Sequence, residues 1–497
     1  MILLINPPLL NRDWGHKYAE HPPPMGLLLL ASNLAAAGRQ VTILDANLRP
    51  GHLEEVRQAV RGADLVGFTV MTTQIPGALK IAELVRSEAP GALVVWGGIH
   101  PTLFPEQTVA SPLVDVVAVG ESDRTILELA AAAAANPRPN LDGIKGIVFK
   151  RGGKVIRTAP RESPTALDSL PEPRLDLLEF EAYVHCMLLP GRMFYVHTGF
   201  GCPHRCAFCI DWVLYRGRFR NKSAARIHRE IDTLVREKDI SHIWIQDENF
   251  FANQRLVREF LDEYESRGAS FTWQANVRAD YFRLNYLNGE FLRRLRSAGC
   301  VSLWVGAESG NDRLLKYLKK DITVAAIENA ARLAAAAGID MFFAFMQALP
   351  VETKEETVET LRFMYKLSRI SRSTRFAGPQ IYRPYPGSEL FEECCKLGLV
   401  CPDSLEAWGR YLEELQVSYV NPKHMPWIAD PGFAAAVPFW AIVLLKDLRQ
   451  VPLRRLPGYL VLKAIARLRL LFNFWSYPLE YRLYDRLRKI LKLPVLS

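Results

Sequence analysis

Residues 199–212 read GFGCPHRCAFCIDW, and this stretch decides how the 497-residue chain is to be read. Cys202, Cys206 and Cys209 stand at C-x3-C-x2-C spacing directly after Met193–His197, a short apolar run that reads as a strand. Three thiolates crowded onto one loop can hold three irons of a cubane and leave the fourth iron open. That vacancy is a coordination site for chemistry. Zinc is the alternative, but a structural zinc ion normally takes four ligands, and His204 as the fourth would need a cramped arrangement.

Outward from the loop, the chain alternates strand-like and helix-like segments. Further strands are predicted at His242–Gln246, Phe271–Ala275, Ser302–Gly306, Met341–Met346 and Phe376–Tyr382. Six β/α units suit a partial TIM-type barrel, which binds ligands at the carboxyl ends of its strands. Upstream, strands are predicted at Ile2–Asn6, Gln40–Leu44, Asp64–Thr69, Ala92–Trp96 and Val114–Val119, with helices at Met25–Ala37, Pro76–Glu88 and Ser122–Ala135. Five such units predict an α/β, flavodoxin- or Rossmann-like parallel sheet. GIVFKRGGKVIRTAP then reads as a hairpin about Gly152–Gly153, and the prolines at 160, 164, 171 and 173 mark a linker. The domain expectation is therefore a sheet domain over 1–140, hairpin and linker over 141–190, the partial barrel over 191–386 and a helical region over 387–497.

Composition sets the setting for this architecture. A hydrophobic share of 49% leaves too much apolar side chain for a disordered or fibrous chain. Eight cysteines are too few for a disulfide-stapled secreted protein, and MILLINPP lacks the basic start of a signal peptide, so a cytoplasmic protein is expected. Cys186, Cys300, Cys394, Cys395 and Cys401 read as buried or surface thiols. A second cluster on Cys394, Cys395 and Cys401 is disfavoured because adjacent helical residues point in different directions.

The formal charge of +9 lies wholly from Lys446 onward: the last 52 residues hold twelve Lys or Arg against three Asp or Glu. These cations interleave with Leu, Ile, Phe, Trp and Tyr. Lys463 with Arg467, and Arg482 with Arg486 and Lys489, are predicted to share helix faces. Such a tail either lies at the inner face of an anionic membrane or packs as a cap on the protein's own core. Nucleic acid is not expected as a partner, because the rest of the chain is neutral and carries no binding motif.

The cysteine loop resembles the motif of the radical S-adenosylmethionine (SAM) superfamily, including the aromatic Phe208 before the last cysteine. Features similar to that family recur in order: IQDENFF at Ile245–Phe251, ANVRAD at Ala275–Asp280, GAESG at Gly306–Gly310, LPVET at Leu349–Thr353 and PYPGSEL at Pro384–Leu390. The resemblance implies a [4Fe-4S] cluster whose open iron chelates SAM, cleavage to a 5′-deoxyadenosyl radical, and an external electron donor of flavodoxin or ferredoxin type. By position it places Phe208 beside the adenine, Glu308 on the ribose, Arg278 on the methionine carboxylate and Asp247 and Glu248 at its ammonium, with Gln246 and Gln347 as further SAM contacts. For each acidic residue a helix cap or salt bridge is the structural alternative. Tyr382 and Tyr385 are candidate substrate contacts, and either can equally be core or lid.

The amino-terminal sheet resembles the B12-binding domains fused ahead of such barrels. Pro23–Gly26 and the GG-x-H-P-T segment from Gly97 carry the likeness. Asn6, Pro7, Met25, Thr69, Met71, Thr72, Thr73, Gln74, Gly97, Gly98, His100, Gly120 and Glu121 lie on the loops where the resemblance puts a cobalamin, expected between the two domains. The D-x-H-x-x-G motif that supplies a lower histidine to cobalt is absent, so no histidine ligand is expected.

With both cofactors, the resemblance favours a cobalamin-dependent methyltransferase of the class B group, acting on an unactivated carbon of an apolar, lipid-like or secondary-metabolite substrate. Hydrogen abstraction would make an sp3 carbon reactive, and the corrinoid would supply the methyl group. The alternatives are a non-methylating relative, such as an oxidative cyclase or carbon–carbon coupling enzyme on a tetrapyrrole or lipid, and a non-catalytic cobalamin or cluster sensor.

Overall fold

Ile2–Asn6 (β1), Val41–Asp45 (β2), Leu65–Thr69 (β3), Leu93–Gly97 (β4) and Val116–Ala118 (β5) form the first five strands. Helices Met25–Ala36 and Ile75–Glu88 stand between them, and helix Asp123–Ala135 follows the fifth. The structure is a computed structural model that describes residues 1–9, 22–48, 51–136, 139–184, 191–417 and 420–490; Cys186 lies outside these. The chain divides into two units. One comprises Met1–Tyr195, Asp232–Ile240 and Cys401–Val417, and the other Val196–Ile231, Ser241–Val400 and Ser418–Ser497.

In the first unit all five strands are parallel, in the order β2-β1-β3-β4-β5. This is the flavodoxin-like order, whose switch point lies between β1 and β3. The strands read as continuous apolar runs because both faces are covered. Leu3, Ile5, Val66, Phe68, Val94 and Trp96 belong to one buried cluster, while Ile2, Leu4, Leu65, Leu93 and Val95 belong to the other.

Two features exceed what chain order suggests. The hairpin Ile147–Arg151 (β6) and Lys154–Arg157 (β7) joins the sheet antiparallel to β5, so the sheet runs past residue 140. It covers the open edge of a three-residue strand, which would otherwise expose unpaired backbone. Helix Leu405–Val417 also belongs to this unit, burying Leu405 and Trp408 in the first cluster.

The barrel strands are Met193–Val196 (β8), His242–Ile245 (β11), Thr272–Val277 (β12), Cys300–Glu308 (β13), Asp340–Gln347 (β14) and Arg375–Ile381 (β15). Between the first two lies a small antiparallel pair, Gly199–Phe200 (β9) with Arg220–Asn221 (β10). The six barrel strands lie in chain order, and β11 to β15 pair in parallel, as a partial barrel requires. Leu303, Val305, Ala307, Met341, Phe343 and Phe345 are buried, whereas Trp304, Gly306, Phe342, Ala344 and Met346 alternate with them and are half-buried. Trp244 reaches over the intervening β12 to meet Trp304 at 4.8 Å between ring centroids, so these alternate positions line the concave face.

Helix Pro431–Leu445, apolar all round, lies against β15, and the tail helices Leu456–Phe472 and Leu479–Ile490 follow. Arg482 and Arg486 are exposed, but Lys463 and Arg467 do not share an outward face. Lys463 is buried with its Nζ donating to the Lys446 carbonyl at 2.6 Å. The side chain of Lys489 is outside the described set.

Candidate active site

The loop between β9 and β10 is shaped by glycine before it is shaped by cysteine. Gly201 has φ +85°, and a Cβ there would sit 2.1 Å from the Arg218 carbonyl oxygen. Only glycine allows the two sides of the loop to approach this closely. The Cys209 amide donates to the Cys206 carbonyl at 3.1 Å, making a turn between them. Ala207 anchors the loop twice: its amide donates to the Leu318 carbonyl at 2.9 Å, and its own carbonyl accepts from the Leu390 amide at 3.0 Å.

All three cysteines are free and half-buried, with polar neighbours at the sulfurs. Asn249 Nδ2 lies 3.7 Å from Cys202 Sγ, Arg278 Nη1 lies 3.9 Å from Cys206 Sγ, and Cys209 Sγ lies 3.4 Å from an Asp211 oxygen. Burial pushes the thiols of Cys202 and Cys209 above the ordinary cysteine range, so their thiolates require a compensating positive centre. Among the described residues, no three His, Cys, Asp or Glu side chains are arranged to grip one ion. A cubane asks for something else, one thiolate at each of three separate iron corners, and the donor set fits that demand.

The remaining residues separate into those the structure gathers at the loop and those it does not. Phe208 lies under the Lys320 ammonium, 5.5 Å from the ring centroid, and Lys320 Nζ pairs with Glu308 at 2.9 Å. Arg278 donates from Nε to Asp280 at 3.0 Å and from Nη2 to the Lys320 carbonyl at 2.5 Å. Phe208, Arg278, Glu308 and Lys320 thus form one connected group beside Cys206. Glu308 has φ +62° and follows a register shift at Gly306, so the strand end is bent to present its carboxylate.

Asp247 faces another way. Its carboxylate, 2% exposed, accepts from the Thr198 amide at 2.7 Å and from the Thr198 hydroxyl, pinning the segment that leads into β9. Burial, partly offset by Thr198, raises it to about 6. Glu248 is half-buried, and burial, with help from the Asp211 charge, raises it to about 7. Gln246 is half-buried, and its amide donates to the Val196 carbonyl at 3.0 Å.

Gln347 does not join the group. It follows the burial alternation of Phe343 and Phe345, away from the concave face, and its Nε2 donates to the Ala434 carbonyl at 3.1 Å. Tyr382 is buried and Tyr385 is 55% exposed, within electrostatic reach of Cys209 and Asp211. Lys320, Asn249, Tyr281 and Thr198 escaped the sequence reading. Asn249 donates to the Tyr281 hydroxyl at 2.9 Å, and that hydroxyl also meets His204 at 2.8 Å, so His204 serves the loop's hydrogen-bond network. Asn249 lies inside IQDENFF and was within reach of motif reading; Lys320 carries no local signal.

In the first unit, Asn6 and Thr69 end the two strands at the switch point. Gln74, buried, donates to the Asn6 Oδ1 and the Pro7 carbonyl at 2.7 Å each and accepts from the Met71 amide at 2.8 Å, locking the two loops together. Met71, 41% exposed, Thr72 and Thr73 follow Thr69. Gly98 has φ +96°, and a Cβ there would come within 2.7 Å of the Val70 amide nitrogen. The loop after β4 can press against the loop after β3 only with glycine at this position. Gly97 and Met25 are half-buried, and the Gly120 amide donates to Thr102 Oγ1 at 3.0 Å beside the half-buried Glu121.

His100 is turned inward. It is fully buried against Phe104 and Trp408, with Nδ1 3.2 Å from Thr72 Oγ1, and burial lowers it to about 3. It packs behind Thr72.

Comparison with known proteins agrees with both halves of this description. The family model described as B12 binding domain matches residues 12–130, and the Radical SAM superfamily matches residues 196–364. An uncharacterized methyltransferase of Pyrococcus horikoshii is 30% identical over 373 residues, covering 74% of this chain and 78% of the relative. The anaerobic magnesium-protoporphyrin IX monomethyl ester cyclase of Rubrivivax gelatinosus is 28% identical over 387 residues, covering 76% and 67%. Among solved structures, the cobalamin-dependent S-adenosylmethionine radical enzyme OxsB, with aqua-cobalamin and S-adenosylmethionine bound, matches with a TM-score of 0.71 at 16% identity. That match covers 99% of this chain and 75% of OxsB, and shows a shared fold.

The sheet and the cysteine-bearing barrel define a radical enzyme that pairs a corrinoid module with a cluster module. The chain belongs to the radical SAM family that carries a B12-binding domain ahead of the barrel. Cobalamin, an iron–sulfur cluster and SAM are its cofactors, and its chemistry needs a small-molecule substrate and a reductant. Membership in an enzyme family removes the sensor reading.

Proposed function

We propose that this enzyme methylates an unactivated carbon of an apolar small molecule. The observation that carries the reading is the presence of both cofactor modules in one chain. A plain SAM methyl donor needs a nucleophile, which an sp3 carbon is not. When bound, the cluster and SAM supply a carbon-centred radical and the corrinoid supplies the methyl group. The name of the Pyrococcus relative as a methyltransferase agrees with this.

The residues take the following parts. Cys202, Cys206 and Cys209 hold the cluster. Phe208 lies along the adenine, Glu308 accepts from the ribose hydroxyls, and Arg278 pairs with the methionine carboxylate. Glu248 and Gln246 serve the ammonium end. Lys320 positions Glu308, and Asp247 positions the loop through Thr198. Asn6, Pro7, Met25, Thr69, Met71, Thr72, Thr73, Gly97, Gly98, Gly120 and Glu121 face the corrinoid, while Gln74 holds two of its loops. Tyr385, exposed near Cys209, is the better placed of the two tyrosines to meet a substrate.

The second reading, an oxidative cyclase, is favoured by the Rubrivivax relative. One experiment separates the two without knowing the substrate. Anaerobic, reduced holoenzyme is incubated with methyl-labelled SAM, and the corrinoid is then extracted. Label in the corrinoid supports methyl transfer. Label confined to SAM and methionine refutes it.

A further inference from the structure

Helix Leu456–Phe472 is inside out. Its buried side chains are Tyr459, Lys463, Ala466 and Arg469. Its outward face carries Leu460, Val461, Leu468, Leu471 and Phe472, the last two more than 70% exposed. The buried cations are satisfied by the protein itself. Lys463 bonds the Lys446 carbonyl at 2.6 Å, and Arg469 forks onto Glu480 at 2.6 and 2.8 Å with its guanidinium over Trp440. A helix that turns two of its three cations inward and its leucines to water inverts the usual arrangement of a surface helix.

The next helix continues the surface. Leu479, Leu483 and Leu487, spaced four apart, are 45–65% exposed, and Phe474 and Tyr477 in the connection are exposed as well. Arg469 with Glu480 ties the two helices together, and Phe439 stacks on Tyr484 at 5.0 Å beneath them. Contiguous apolar patches of this kind mark interaction sites.

Charge selects the occupant. Arg455, Arg467, Arg482 and Arg486 are exposed around the apolar residues, and none has a carboxylate partner among the described residues. The acids of the segment are already engaged: Glu480 with Arg469, Asp485 with Arg488 at 3.2 Å, and Asp447 with Arg449 at 2.5 Å. The free charge on this face is therefore all positive. A second copy docking symmetrically would set these arginines against their own images. An anionic bilayer instead offers acyl chains to the leucines and phosphates to the arginines.

We propose that this face docks on an anionic lipid bilayer, with both helices in the plane of the interface and the arginines reaching up to head groups. Among the described residues no helix is long and apolar enough to cross a membrane, so the contact is one of lying on the surface. The docking goes beyond the proposed reaction and does not depend on it.

The test uses the full-length holoenzyme in co-sedimentation with vesicles of phosphatidylcholine alone or mixed with phosphatidylglycerol. The expected result is pelleting with the mixed vesicles only, weakened by salt. Replacing Arg467, Arg482 and Arg486 together by Gln should lower apparent affinity about 5-fold for each arginine, about two orders of magnitude in all. Leu471→Ser with Phe472→Ser should also release the protein. Both variants change exposed positions only, so unchanged melting temperatures are expected, and the arginine variant carries the test if the serine variant fails to fold. Three results would overturn the proposal: no pelleting with mixed vesicles, equal pelleting with both vesicle types, or a concentration-dependent dimer that Leu471→Ser with Phe472→Ser dissolves.

Discussion

Gly306→Ala tests how the end of the fourth barrel strand builds the SAM site. A Cβ at 306 would lie 2.3 Å from Glu308 Oε1 and 2.9 Å from Lys320 Nζ. Ordinary contact begins near 3.4 Å, so the carboxylate must retreat by about 1 Å. Glu308 has little room to comply. It is 8% exposed, its backbone is held at φ +62°, and its partner Lys320 is 9% exposed over the Phe208 ring. Overpacking of this kind costs about 1–3 kcal/mol, and here it falls on the group proposed to accept from the ribose. SAM affinity should therefore fall about 5- to 150-fold.

Equilibrium dialysis of SAM against reconstituted enzyme measures this directly. Gly310→Ala, in the same motif, is the control. Its Cβ would meet Phe363 Cβ at 2.7 Å and Thr360 Cα at 2.8 Å, so it should lower the melting temperature without selectively weakening SAM. If Gly306→Ala binds SAM as the parent does, the placement of Glu308 at the ribose is refuted.

Replacing any one of Cys202, Cys206 or Cys209 by Ala should reduce iron, sulfide and visible absorption to near background after anaerobic reconstitution; a retained cluster would refute that cysteine as a ligand. Arg278→Lys keeps a charge but loses the fork that reaches Asp280 and the Lys320 carbonyl, so SAM binding should weaken about 10-fold or more in the same dialysis assay. His100 gives a pH prediction. Its folded pKa of about 3 lies below the ordinary 6.5, so the unfolded chain takes up the proton first, and stability is full above 6.5 and drains as pH falls toward 3. At pH 5 the loss is about 2 kcal/mol, and denaturant melts of His100→Phe should show a shallower decline between pH 7 and 5 than the parent.

The readable parts of this protein were those whose signal is local. C-x3-C-x2-C needs only the eight residues from Cys202 to Cys209 to be recognised, and the β/α alternation only needs runs of β-branched and apolar side chains, so both the sheet and the barrel could be laid out before any tertiary contact was known. Parts of the site resisted for the same reason in reverse. Asp247 and Gln347 both lie at carboxyl ends of strands of the same barrel, yet one is spent on Thr198 and the other on Ala434, partners 49 and 87 residues away in sequence. Nothing in a strand-end motif states which way its polar side chain will turn.

The sequence alone determined the class of chemistry: three thiolates on one loop, with an amino-terminal sheet whose loops suit a corrinoid. Tertiary structure decided the rest. It brought Lys320 to Glu308 and Phe208, set His100 behind Thr72 against a tryptophan from a distant helix, and turned Lys463 and Arg469 of the tail inward and several of its leucines outward. The physical reason is that burial and pairing are set by whichever segment packs opposite, and that neighbour is not written in the local spacing of residues.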